Sequence, residues 1–476
     1  MSTASAAPEG AVRPGNGARD CDAGLVRAIP LGSAILLVIT NVIGSAIFLT
    51  PGKMAAVLPS EPLLLLSWLV GGVIALCGGL TYAEMGAMYP RSGGLYVFLD
   101  EAYGSAVAFL FGWASLLVVT TGSVATVAVG FATYFSYFFP ELSMSRVAFA
   151  VPLPWGPWAV SAGQVVAVVS IVALGGANYV GVRSGNLLQA SLTLLKVAAL
   201  AALPVLALIL HPSPIELAPL VPQVPHPAAA FGVAMIAVMW GYEGWYYLPF
   251  CAGEISDPRR TIPRALVLGI LSLIAIYMAV NAAYMLALPL AEMRGVERIA
   301  ERAVTALVGA PGAGLVAATV AISTLGCNAA GVISMSRLCY AMAAKGFFFE
   351  GAASVHPTYK TPHVAIVVTC VWSALLALSG TYEQLYTWVT FASLLFGVLG
   401  GLAIFKLRRR QPDAPRPYRA FGYPVVPAVF VASVGVLVAN TLLEKPVEAL
   451  IGVALTLLGV PAYLYWNARR PVVGST

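Results

Sequence analysis

The stretch NVIGSAIFLTPG, Asn41–Gly52, decides how the chain is read. Its flanks are apolar enough to cross a bilayer, yet Gly44 and Ser45 interrupt it midway and Pro51-Gly52 closes it. A membrane helix that unwinds near mid-span frees backbone N–H and C=O groups where lipid cannot satisfy them. Such a break is tolerated only around protein or a wet cavity. The freed groups can then hold a ligand.

A second stretch of the same kind is WGYEGW, Trp240–Trp245, where Gly241 and Gly244 interrupt another apolar run. Glycine-interrupted segments at corresponding places in two halves of a chain point to inverted repeats, with a binding site where the broken helices meet. Close helix packing is the other use of such glycines.

Composition supplies the setting. Of 476 residues, 59% are hydrophobic and 10% charged, and the mean hydropathy is +0.87. These values describe a polytopic membrane protein. Apolar runs of roughly 20 residues, the length a helix needs to cross ~30 Å of hydrocarbon, occur near 29–56, 63–88, 105–136, 158–181, 187–210, 228–252, 265–290, 311–343, 363–379, 384–405, 424–442 and 446–466. Twelve helices are therefore expected. The runs are continuous rather than alternating, which excludes the strand pattern of a membrane barrel.

Cytoplasmic loops carry excess Lys and Arg, so basic residues set the orientation. With the N-terminus inside, Lys53, Arg146, Arg294, Arg298, Arg302 and Lys445 fall outside, and the rest of the 26 Lys and Arg, Lys196 excepted, fall inside. Both termini are expected to be cytoplasmic, in a multi-pass cell membrane protein. The net charge of +6 is then a topology and headgroup signal, not a nucleic-acid surface. Residues 1–24 lack the apolar core of a cleaved signal peptide and read as a disordered tail. The six cysteines form no disulfide framework.

Several chemistries are not called for. The sequence holds no GxxxxGK[ST] loop and no HExxH helix, and its four histidines lie scattered in expected loops. No nucleophile and base pair appears. No cofactor, metal ion or enzymatic activity is therefore read from it.

Polar residues inside spans remain. At the first break, N–H groups at the N-terminus of the second half-helix suit a carboxylate, and carbonyls at a half-helix C-terminus suit an ammonium. An amino acid offers both groups. Lys196 lies about 14 Å into the fifth run, near the midplane. Its ammonium must face protein or water, where it either takes the place of a bound cation or exchanges a proton. Glu243, within the second break, can attract a cationic substrate, carry a proton or cap freed N–H groups. Trp240 can close over a ligand or simply pack. Glu84, at the cytoplasmic end of the second run, reads as a structural ion-pair partner.

With these residues in hand the chain resembles the amino acid, polyamine and organocation transporter superfamily, and most closely its L-type amino acid transporter branch. IGSAIFLTPG is similar to the GSGIF pattern of the first helix, and LTYAEMGAMYPRSGGLYVFLDEAYG to the second helix and its loop. WGYEGWYYLPFCAGEISDPRRTIPRA resembles the broken sixth helix, STLGCNAAGVISMSRLCYAMAAKG the eighth, and RRRQPDAPRPYRAFGYPVVP the basic loop after the tenth.

The resemblance implies an all-α membrane protein of the leucine-transporter type. Five helices at 25–210 and five at 211–410 would form inverted repeats, followed by two peripheral helices at 411–468 and a cytoplasmic tail at 469–476. It implies alternating access. Gly44, Ser45 and Ala46 would hold the carboxylate, while the Ile43 carbonyl and the backbone of Trp240, Gly241, Tyr242, Glu243 and Gly244 would face the amine. Trp240 would be the gate, and Lys196 would stand where sodium-coupled relatives hold an ion. The function implied is sodium-independent amino acid transport, by proton-linked symport or exchange. An amine or polyamine carrier of the same fold is the alternative, and a non-transporting nutrient sensor a further one. No outer-loop cysteine offers a tether for the heavy subunit of animal members, so no obligatory protein partner is read.

Two departures stand out: Ala46 replaces the last glycine of GSGIF, and Glu243 and Tyr246 stand where L-type members often carry a small or polar residue and Asn. If the Ala46 methyl restricts the pocket, Ala46→Gly will broaden the side chains that compete for uptake. An unchanged competition profile would remove that restriction.

Overall fold

A computed structural model describes residues 27–469 apart from 155, 181–184, 211–223, 345 and 360. The tail at 1–24, the start of the second expected repeat at 211 and residues 470–476 lie outside the described residues.

The first apolar run is two helices, α1 (Leu31–Val42) and α2 (Ala46–Val57), bent by 42° across the break. Next come α3 (Glu61–Met88), α4 (Leu95–Tyr103), and α5 (Ser105–Ala114), which continues through a π-helical turn at Ser115–Val119 into α6 (Thr120–Phe135). After a hairpin, α7 (Ala162–Val180) and α8 (Gly185–Leu210) complete the first half. The second apolar break separates α9 (Pro227–Gly241) from a 3-10 segment, Trp245–Glu254. The remainder comprises α10 (Pro258–Ala287), the short α11 (Leu290–Met293) and α12 (Ile299–Val308), α13 (Ala310–Ala344), α14 (His363–Ser379), α15 (Tyr382–Arg410), α16 (Val425–Glu444), α17 (Pro446–Leu457) and α18 (Gly459–Arg469).

Eight helices or continuous helical runs among the described residues are long and apolar enough to span a membrane, nine with α1 and α2 taken as one bent span. Leu194–Leu210 and His363–Ser379 are apolar but shorter. The sixth expected run falls short for a physical reason: its helix stops at Gly241 and resumes only as 3-10 turns. The chain is thus a helical, multi-pass membrane protein.

One departure from the all-helical expectation lies before α7. Val147–Leu153 and Gly156–Ser161 pair as an antiparallel hairpin, with Ala150 opposite Ala159 and Val151 opposite Trp158. β-Branched and aromatic residues among the prolines 152, 154 and 157 favour extended backbone over helix. The helix expected from 158 therefore starts at Ala162.

Small residues let the bundle centre close. A Cβ on Gly71 would sit 2.3 Å from Val238 of α9, and one on Gly72 2.4 Å from Ile274 of α10. This is how membrane helices gain contact without a hydrophobic drive between them. At the far end of α3, the fully buried Glu84 accepts from Arg408 at 2.9 and 2.6 Å and from the Ala420 N–H at 2.6 Å, with Arg416 at 3.3 Å. The basic loop after α15 is thereby pinned to α3, the structural ion pair expected for Glu84. At the opposite end, Thr381 and Gln384 cap α15 reciprocally.

The two breaks touch through glycine. Gly244 has φ +110°, and a Cβ there would lie 2.7 Å from the Asn41 carbonyl oxygen of α1. Gly244→Ala thus combines a disfavoured backbone conformation with a clash against backbone that cannot yield. It is expected to lower stability by about 1–3 kcal/mol, read as an earlier thermal unfolding transition in detergent; an unchanged transition would show that the breaks do not depend on this approach.

Candidate functional site

The first break follows from its own hydrogen bonds. Ile43 N–H donates to Ile39 at 2.9 Å, Gly44 N–H turns back to Val42 at 2.8 Å, and Phe48 N–H reaches Ser45 at 3.2 Å. Side chains from other helices take the carbonyls released between these bonds. Lys196 of α8 donates to the Ile43 carbonyl at 2.8 Å and to the Thr40 carbonyl at 3.1 Å. Tyr277 of α10 reaches the Val42 carbonyl at 3.3 Å and the Gly241 carbonyl of the second break at 2.8 Å. Pro51 cannot donate to Ile47 four residues back. Tyr284 supplies that bond at 3.2 Å, and Tyr134 donates to the neighbouring Phe48 carbonyl at 2.8 Å.

Lys196 is 2% exposed and Ile43 fully buried. The Lys196 side chain is therefore held by carbonyls of the unwound segment. The Ile43 carbonyl, expected to face a substrate amine, already accepts from Lys196.

At the other side of α2 the polarity reverses. Gly44 donates its N–H to Val42, but Ser45 and Ala46 bring backbone N–H groups to the N-terminus of a half-helix, where the first N–H groups lack intrahelical partners and the dipole favours an anion. A Cβ at Gly44 would have Cys327 of α13 at 3.8 Å and Val127 of α6 at 4.0 Å, so the turn has room beside it. The Ala46 methyl lies 3.8 Å from where a Cβ on Gly241 would sit, placing it at the crossing of the broken helices.

Tyr382, the first residue of α15, ties the breaks together from a third element. Its hydroxyl shares a 2.9 Å hydrogen bond with Ser45 Oγ and accepts from Trp240 Nε1 at 3.1 Å. Lys53 of α2 stands 5.5 Å from the Tyr382 ring centre, and Lys445 pairs with the adjacent Glu383. Trp240 is thus a buried indole held by a hydroxyl, at the boundary between α9 and the break.

Glu243 accepts from Tyr246, through a short contact, and from Ser393 of α15 at 2.9 Å, both at Oε1. No backbone N–H of the break donates to it among the described residues, so the capping role is not the one it fills here. The Tyr242 side chain, for which the sequence carried no expectation, turns inward. Its ring packs against Trp68 and Tyr277 at 6.1 and 5.2 Å and its hydroxyl donates to the Trp68 carbonyl at 3.1 Å, leaving only its backbone at the break.

The structure therefore brings Ile43, Gly44, Ser45, Ala46, Trp240, Gly241, Gly244 and Lys196 into one region. Reasoning from sequence missed Tyr277, Tyr382 and Ser393. Tyr277 and Ser393 are polar groups inside apolar runs, a signal that attention to charge and glycine alone passes over, and Tyr382 lies just ahead of its run.

A family model described as amino acid permease matches residues 30–460. The chain is 28% identical to the serine/threonine exchanger SteT of Bacillus subtilis over 94% of its own length and 99% of that protein. It is 27% identical to the Asc-type amino acid transporter 1 of Mus musculus, over 94% and 83% of the two chains. To the human cystine/glutamate transporter it is 28% identical, over 94% and 87%. These relatives are amino acid transporters and exchangers, and with the family match over nearly the whole chain they settle its membership: it belongs to the amino acid permease family.

Proposed function

We propose that the protein is a sodium-independent amino acid transporter of the cell membrane that works by alternating access. In this reading twelve helices form two inverted five-helix repeats plus two peripheral helices, and both termini are cytoplasmic. The observation that carries it is the Lys196 ammonium on the carbonyls of Thr40 and Ile43. A carrier that holds a fixed protein cation at its unwound carbonyls has no need of a sodium ion to stabilise them.

The substrate α-carboxylate sits against the N–H groups of Ser45 and Ala46, beside Gly44, at the positive end of α2. The α-ammonium faces the negative end of α9, at the carbonyls of Tyr242 and Glu243, since those of Trp240, Gly241 and Gly244 already accept bonds within the protein. Trp240 closes over the ligand while its indole holds Tyr382, so the Trp240–Tyr382–Ser45 chain must rearrange for substrate to pass. Gating by a few such contacts is the ordinary way a lid commits its ligand.

Uptake of labelled amino acids and amines into proteoliposomes tests this reading, with the lumen empty or preloaded and with or without an inward proton gradient. Amino acid uptake into empty vesicles that rises with the gradient identifies proton-linked symport. Uptake confined to preloaded vesicles identifies exchange. Carriage of amines alone, or binding without flux, would contradict the proposal.

Lys196→Met leaves two buried carbonyls without a charged donor, and losses of this kind run to about 1.5–3 kcal/mol for each charge-assisted bond. Uptake is expected to fall at least about tenfold while the protein still elutes as a single species in detergent. Wild-type uptake would make Lys196 a packing residue.

A further inference from the structure

Among the buried charges, Glu84 is matched by two arginines and Lys196 by two carbonyls, but Glu243 has no counter-charge. Its only partners are the hydroxyls of Tyr246 and Ser393, and it joins no ion pair among the described residues. The titratable groups around it are phenols: Tyr82 of α3, and Tyr246 and Tyr247 beyond the break. Lys196 is turned away to Thr40 and Ile43.

Both hydroxyls donate to Oε1, so Oε2 receives no bond from the protein among the described residues. The side chain is nonetheless half-buried rather than sealed, while its neighbours Tyr242, Gly244, Trp245 and Tyr246 are buried. Glu243 belongs to the break itself, between the buried Gly241 and Gly244. An isolated carboxylate at that depth is costly, and a ligand that brings the missing positive charge removes the cost.

We infer that Glu243 selects amino acids whose side chain carries a positive charge, its free Oε2 accepting from the side-chain ammonium or guanidinium. This rests on the transport reading above and assigns the substrate class of that site. Tyr246 and Ser393 are positioning residues, fixing the carboxylate from Oε1 so that Oε2 meets the ligand.

The test uses the full chain in proteoliposomes. Against tracer L-lysine, unlabelled L-lysine is expected to compete at least about tenfold better than L-norleucine, which has the same carbon chain without the ammonium. In Glu243→Gln the lysine-to-norleucine preference should fall at least about tenfold, and Glu243→Asp, which keeps the charge, should retain a preference for lysine. A wild-type protein that favours norleucine, or a preference unchanged in Glu243→Gln, would overturn the inference. So would uptake of neutral amino acids that rises with an inward proton gradient in the wild type and loses that rise in Glu243→Gln, because Glu243 would then carry a proton. Transport of cadaverine with no transport of lysine would keep the cation site and instead overturn the amino acid reading on which it stands.

Discussion

The bond from Lys196 Nζ to the Ile43 carbonyl, 2.8 Å long in a fully buried setting, is the constraint on which the centre of the molecule depends. A break in a membrane helix strands carbonyls, each costing several kcal/mol if left unsatisfied in hydrocarbon. An ammonium at the same depth is costly for the complementary reason. Neither is tolerable alone, and each satisfies the other. The pair also fixes α8 against α1, because a carbonyl of the break and a side chain of α8 must meet within hydrogen-bond range.

Around that bond, phenols complete the same task. Tyr277 bridges a carbonyl from each break, Tyr284 answers the gap Pro51 leaves in α2, and Tyr382 joins Ser45 to Trp240. Side chains of three helices, α8, α10 and α15, thus hold the two unwound segments. Positive half-helix ends and negative ones remain within the same region, which is the pairing the proposed zwitterionic substrate needs. Glycine makes the approach possible, since at Gly244 the backbone conformation and the Asn41 carbonyl leave no place for a side chain.

Much of this was legible in the residues. The apolar runs located the helices, and Gly44-Ser45 and Gly241 to Gly244 located both breaks, because interruption of an apolar run is a local signal. Lys196 stood out as a basic residue at mid-span. What escaped was non-local. The engagement of the Ile43 carbonyl by Lys196, the inward packing of the Tyr242 ring and the roles of Tyr277, Tyr382 and Ser393 depend on which helices adjoin, and no spacing within one helix encodes that. The hairpin at 147–161 was overlooked because its apolar residues merge with the run that follows.

The most direct measurement is equilibrium binding of a transported amino acid to the purified protein in sodium-containing and in sodium-free, choline-matched buffer. If the Lys196 ammonium holds the unwound carbonyls in a metal ion's place, the affinity will be the same in both. Binding that tightens with sodium would contradict that account, since the carbonyls would then be taking an ion that Lys196 does not replace.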